Sequence, residues 1–199
     1  MVDLTKCYMS KAGNVVTPKG RMLYPALYQM QMPKGETDQS KARYQITLLL
    51  GSDVDLTLLN QRVNEAIAEK WGADAAKKFK IKKPFLKTEE QGRLSDLAVE
   101  FPVMIRAANK TKPDVVFANG SKCDDDNETY GGRWARVSLR PFCYDHPTGG
   151  KGVSLSLENV QLLDHDDRLG GGRAKAEDEF APVEIAKAGS TATADSVFD

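Results

Sequence analysis

Apolar residues along this chain follow two rhythms, a two-residue alternation in several stretches and a single four-residue stripe. Arg21–Met30 (RMLYPALYQM) is apolar and aromatic and runs into the turn-rich Pro33-Lys34-Gly35-Glu36. Ala42–Leu50 (ARYQITLLL) follows and is rich in β-formers, so the pair reads as two strands joined by a polar loop. A shorter strand is expected ahead of them, near Lys6–Ser10 or Val15–Thr17. The stripe of Leu59, Val63, Ile67 and Trp71, extended by Leu56, predicts one main helix over Leu56–Trp71. Asp53 or Asp55 can cap its start and Gly72 can end it. Ala73–Phe79 is a candidate for a further short helix.

Ile81–Leu97 is charged and irregular and reads as a long connection. Strands resume at Phe101–Ala108 and briefly at Val115–Ala118. Asp124-Asp125-Asp126-Asn127-Glu128 forms an acidic loop. Two long strands are then expected, Arg133–Asp145 and Gly152–Leu163, around a turn containing His146-Pro147-Thr148-Gly149-Gly150-Lys151. After Leu169 the composition shifts to Gly, Ala, Ser, Thr and acidic residues, which cannot bury enough apolar surface to offset ordering entropy. The expected organisation is one domain over residues 1–169 and a disordered acidic tail over 170–199. The order of strands, helix, strands, without βαβ alternation, points to a mainly β fold with one main helix. The natural candidate is an OB-like antiparallel β-barrel, whose helix falls between the third and fourth strands.

The chain has 199 residues, with 28 basic and 28 acidic side chains, so its formal charge is zero. That excludes a uniformly basic DNA-coating protein but leaves room for a basic face balanced by acidic segments. Cys7, Cys123 and Cys143 are an odd set without tight spacing, which suits a reducing cytosol rather than a disulfide framework. No apolar run approaches the roughly 18 residues of a membrane span, and residues 1–10 have no signal-peptide core. The expected location is the cytoplasm, with no membrane partner.

Candidate chemistry concentrates in Gly132–Asp145 (GRWARVSLRPFCYD). Strand alternation puts Ala135, Val137, Leu139, Pro141 and Cys143 on a core face. Trp134, Arg136, Ser138, Arg140, Phe142 and Tyr144 share the other. Exposed rings are costly unless covered. A single-stranded nucleic acid is a suitable cover, because every base offers a π-face and arginines between the rings can meet phosphates. The alternative is that the rings pack on a loop or a partner subunit.

Alternation also turns Arg106 and Arg43 outward. Lys110 and Lys112 follow the end of the Phe101–Ala108 strand, and Lys151 sits in the Gly-rich turn. Arg21, Tyr24 and Tyr28 can line a groove, although Tyr24 and Tyr28 suit a core equally well. Lys77, Lys78, Lys80, Lys82 and Lys83 form a separate basic run, either a DNA-backbone contact or a solvated helix end.

Cys143 and His146 have a spacing seen in metal sites, but no second pair completes four ligands. Asp124–Asp126, or Asp164, Asp166 and Asp167 with His165, are weak candidates for the Mg²⁺ of a nuclease. Walker, GxSxG and dinucleotide motifs are missing from the sequence. No cofactor, metal or catalytic residue is expected, and the protein reads as a binder rather than an enzyme. The other alternative is a structural or interaction protein with a small β-domain.

On Gly132–Asp145, the Gly-rich turn, Gly152–Leu163 (GVSLSLENVQLL) and Asp164–Gly170, the chain resembles a family of tailed-bacteriophage single-stranded-DNA-binding proteins with an OB fold. The resemblance covers roughly residues 5–185. It implies sequence-independent binding to single-stranded DNA in phage replication, recombination or repair. It also implies an acidic tail that recruits polymerase, helicase-primase or other replication partners and occupies the DNA groove when DNA is absent. Here that tail ends in Asp195-Ser196-Val197-Phe198-Asp199, so the phenylalanine is penultimate rather than terminal. Asp195, Val197, Phe198 and Asp199 are the expected partner-binding residues. A homo-oligomer is compatible with this reading.

Overall fold

The computed structural model describes residues 2–169 and Ala181. Its elements follow the sequence pattern closely. Two short strands, β1 (Tyr8–Met9) and β2 (Val15–Val16), precede β3 (Gly20–Gln31) and β4 (Arg43–Leu50). Helices α1 (Thr57–Trp71) and α2 (Ala75–Lys78) come next, then β5 (Phe85–Lys87), β6 (Val103–Asn109) and β7 (Asp114–Val116). The long hairpin β8 (Trp134–His146) and β9 (Gly150–Leu162) completes the set. The tail residues Asp195, Val197, Phe198 and Asp199 lie outside the described residues.

Five strands close into a ring in the order β3, β4, β6, β9, β8 and back to β3. All neighbours are antiparallel except β6 and β9. This is the Greek-key ring of an OB barrel, in which closure removes the free edges of the main strands. Inward alternation fills it with Ile46, Leu48 and Leu50 of β4, Ala135, Val137 and Leu139 of β8, and Leu155, Leu157, Val160 and Leu162 of β9. Burying each such Leu, Ile or Val contributes about 1.5–3 kcal/mol. The inward phase of β9 shifts from odd to even residues at a bulge, where Ser138 pairs with Asn159 but Leu139 pairs with Leu157.

Helix α1 forms where the stripe demands it. Leu59, Val63 and Ile67 are its buried residues. The Asp55 carboxylate accepts the Thr57 N–H at 2.9 Å, which satisfies one free donor of the first turn. Gly72, at φ 89°, ends the helix, and its N–H donates to the Ala68 carbonyl. Leu59 reaches the barrel core, while Val63 and Ile67 pack with Ala75 and Val153. The helix lies between the second and third barrel strands, β4 and β6, not between the third and fourth as the fold type led us to expect. The segment between β6 and β8 instead supplies β7 and the acidic loop.

The irregular connection is also structured. Beyond β5, residues 88–102 make two 3₁₀ turns and lay Leu94 and Phe101 on the outer face of the sheet, against Leu23, Leu49 and Met104. One end of the β3–β4–β6 face is thereby covered. The other end, towards Arg43 and Ala108, stays open.

Candidate nucleic-acid interface

The open end is a groove of about 1050 Å³ between the β3–β4 connection on one side and strands β8 and β9 on the other. Its floor comes from outward residues of β4 and β6, namely Arg43, Gln45, Thr47, Arg106 and Ala108. Pro33 and Lys34 form one wall, and Phe142 and Ser154 the other. Lys34, Arg43 and Arg106 supply three cations, and no carboxylate appears among the described lining residues. In OB barrels the face that meets oligonucleotides is built from the second and third strands with the loops joining strands one to two and four to five; here β4, β6 and the β3–β4 loop supply described lining residues, and the β8–β9 turn supplies none.

Two rings stand open on the groove, Phe142 at 46 % exposure and Tyr24 at 56 %. Phe142 is one of the outward residues of β8. Tyr24 is there because β3 bulges. Leu23 pairs with Thr47 and Ala26 with Gln45, so the Tyr24-Pro25 step holds one residue too many. Tyr24 takes φ 48°, in the left-handed region that favours glycine. The cations are held in place locally. Arg43 Nη1 donates to the carbonyls of Ser40 and Ala42 at 2.8 Å, and Arg106 Nη2 donates to Gln91 Oε1 at 3.1 Å. Gln45 Nε2 bonds Gln31 Oε1 at 2.8 Å across the bulged strand pair.

The structure does not gather all the outward residues of β8 at this groove. The strand is 13 residues long, and its twist carries alternate side chains around the barrel. Trp134, at its start, packs on Phe101 with ring centroids 6.0 Å apart and joins the outer-face cluster of Leu23 and Met104. Arg136 lies over the Tyr8 ring and bonds Gln161 Oε1 at 2.7 Å. Arg140 pairs with Glu158 at 3.2 Å. Tyr144 rests on Gly152, where a Cβ would come within 2.3 Å of its hydroxyl.

Arg21 is a buried anchor. Its guanidinium pairs with Asp166 at 2.8 Å and donates to the carbonyls of Asp167 and Gly132. The Trp134 indole N–H donates to the same Asp166 carboxylate at 2.7 Å. Gly132, at φ 108°, lets the returning chain lie close, since a Cβ there would meet the Asp167 carbonyl at 2.1 Å. Arg21, Trp134 and Gly132 therefore clasp residues 164–169 against the barrel. The N–H of Asp167, the Trp134 indole and the Arg21 charge hold the Asp166 carboxyl below the usual aspartate range.

The remaining candidates are dispersed. The Tyr28 hydroxyl donates to the Cys123 carbonyl at 2.5 Å, and burial pushes its ionisation upward. Lys112 lies 4.8 Å above the Tyr28 ring. Lys110 is exposed near Asp38 of the β3–β4 loop, whose charged form it favours after the larger effect of Ser40. Lys151 pairs with Asp145 and lies over Trp71 and Phe79. Cys143 Sγ donates to the Ala66 carbonyl, while His146 Nδ1 accepts the N–H of Gly149 at 3.0 Å, so the two make separate local contacts. Lys34 and Gln45 were not among the expected binding residues, yet they line the groove together with Tyr24, which alternation left open between groove and core. The signal for Tyr24 was Pro25, which in a strand marks an edge or a bulge.

Residues 13–191 match the model of a family described as the Enterobacter phage Enc34 ssDNA-binding protein. The chain belongs to this family. It is 26 % identical over 176 residues to a putative protein p50 of Acyrthosiphon pisum secondary endosymbiont phage 1, covering 84 % of this chain and 92 % of that one. Its fold is similar to that of the single-stranded-DNA-binding protein of bacteriophage Enc34 in complex with ssDNA, with TM-score 0.68 and 23 % identity over 85 % of this chain and 96 % of the other. It is also similar to gp2.5, a single-stranded-DNA-binding protein encoded by bacteriophage T7, with TM-score 0.55 and 16 % identity over 89 % and 97 % of the two chains. At these identities the structural likeness speaks to the fold. Membership in the Enc34 family rests on the sequence match, and it agrees with the resemblance read from Gly132–Gly170.

Proposed function

We propose that this chain binds single-stranded DNA without strong sequence preference, along the groove between the β3–β4 loop and strands β8 and β9. The observation that carries this reading is the groove itself. Three cations and two exposed rings line it, with no carboxylate among its described lining residues. Lys34, Arg43 and Arg106 meet phosphates, while Phe142 and Tyr24 stack bases. Stacking reads no base edge, so it tolerates any sequence. In this assignment Trp134, Arg21 and Tyr28 hold the fold, and Arg136 and Arg140, bonded to Gln161 and Glu158, lie outside the groove lining.

The activity is binding and protection of single strands during phage DNA replication, recombination or repair in the host cytoplasm, with no chemical step. Membership in a single-stranded-DNA-binding family supports this reading. The acidic segment after Leu169 is assigned the recruitment of replication partners such as polymerase or helicase-primase, with Val197 and Phe198 as its apolar anchor.

The test is a pair of groove variants titrated with labelled oligo-dT. Phe142→Ala is expected to weaken binding by about 1–3 kcal/mol with the domain still folded. Arg106→Ala is expected to lower the slope of log K against log salt by about 0.7, one single-strand phosphate contact. Unchanged affinity and slope in both folded variants would remove the groove from the binding site.

A further inference from the structure

The lysine-rich strip beyond α1 stands outside the groove and has no role in the reading above. Residues 70–83 hold Lys70, Lys77, Lys78, Lys80, Lys82 and Lys83 against a single carboxylate, Asp74. Lys77 pairs with Asp74 at 3.0 Å; the other five meet no carboxylate within 4 Å among the described residues. Phe79 is 42 % exposed in the middle of this strip. A purely solvated helix end needs neither such a concentration of one charge nor a ring that stays this exposed even with Lys151 over it.

The strip is fastened to the groove. The Lys82 N–H donates to the Lys151 carbonyl at 3.0 Å, and the Val153 N–H donates to the Lys82 carbonyl at 2.9 Å. Lys82 thus pairs in parallel with Gly152, and paired residues share one face of a sheet. On β9 that face continues to Ser154, two residues on, which lines the groove. Tyr144, lying on Gly152, fills the interval between Phe142 and Lys82. One strand step of two residues is only about 7 Å.

We infer that single-stranded DNA leaving the groove past Phe142 crosses Tyr144 and continues onto the Lys78–Lys82 strip, a second contact zone that lengthens the footprint. This inference rests on the groove being the primary site. The lysines of the zone neutralise phosphates, and Phe79 offers one further stacking surface.

The experiment compares two oligo-dT strands, one of about 6 nucleotides that the groove alone can hold and one of about 25, within and beyond the site sizes of single OB folds. The variant is K78Q/K80Q/K82Q, with Phe79→Ala as a second, and thermal melting confirms folding. For the triple variant the long strand is expected to bind about tenfold more weakly at low salt. Its salt slope should fall by about 2, three contacts at roughly 0.7 each. The short strand is expected to bind within about twofold of wild type, since its phosphates lie in the groove. Phe79→Ala should weaken the long strand alone by at least about fivefold. Equal losses for both strands, or none for the long one, would overturn the second zone. R106A with F142A separates the two levels. If that variant binds both strands as wild type does, the groove reading itself has failed.

Discussion

Tyr24 shows how a single residue is shaped by its site. A left-handed backbone costs a residue with a side chain about 1–2 kcal/mol, and the barrel keeps it at a ring that is more than half exposed. Packing cannot be the return for that strain, because the ring lies largely in the open. Tyr24→Gly removes both the ring and the strain, while glycine adds its own entropic cost of about 0.5–1 kcal/mol. We expect stability within about 1 kcal/mol of wild type and affinity for oligo-dT lower by about 1–3 kcal/mol. Melting and titration of the same sample check this, and a large loss of stability with unchanged affinity would make Tyr24 a packing residue. The sequence Tyr24-Pro25 carried the bulge in its proline, but alternation alone left the direction of the ring open between groove and core.

At the scale of elements, β8 separates what periodicity reveals from what it hides. The alternation of Ala135, Val137 and Leu139 with Trp134, Arg136 and Arg140 correctly divides inside from outside. It carries no information about where along a twisted strand the outside meets a loop, a strip or a ligand. Trp134 meets Phe101 and Asp166, both from distant segments; Asp166 lies in a segment without periodic pattern, and Phe101, read as the start of a strand, lies ahead of β6, which begins at Val103. Trp134→Ala should therefore lower stability by about 2–3 kcal/mol, below the range for a fully buried ring, and leave DNA affinity of the folded protein unchanged. The same clasp has a pH signature. The folded Asp166 carboxyl ionises below the ordinary aspartate value of about 3.9, so its contribution is complete above that value and is lost as pH falls through the depressed one. Asp166→Asn should differ from wild type in urea stability by a constant amount at neutral pH and converge with it below about pH 4. A difference independent of pH would take the Asp166 charge out of the clasp.

Over the whole molecule, charge is balanced in sum and unequal in place. Twenty-eight basic and 28 acidic residues cancel, while the charged groups among the groove's described lining residues are all cations and the loop at Asp124–Asp126 is acidic. Element order and the barrel were legible because strands, helix and turns each carry a local signal. The segment 88–102 was not, because 3₁₀ turns and the irregular stretch after them have no apolar period, and Leu94 and Phe101 find partners only after the sheet has formed. That cover decides where the open groove lies, so the groove's lining could be read only in part, through Arg43, Arg106 and Phe142. The measurement that tests the central claim most directly is fluorescence anisotropy with labelled oligo-dT beside the matching duplex, across a salt series. Three groove cations predict a log–log salt slope of about −2 or steeper, and two exposed rings, which stack on unpaired bases, predict tight single-strand binding and weaker duplex binding. Equal affinity for the duplex, or no binding to the single strand at low salt, would contradict the account.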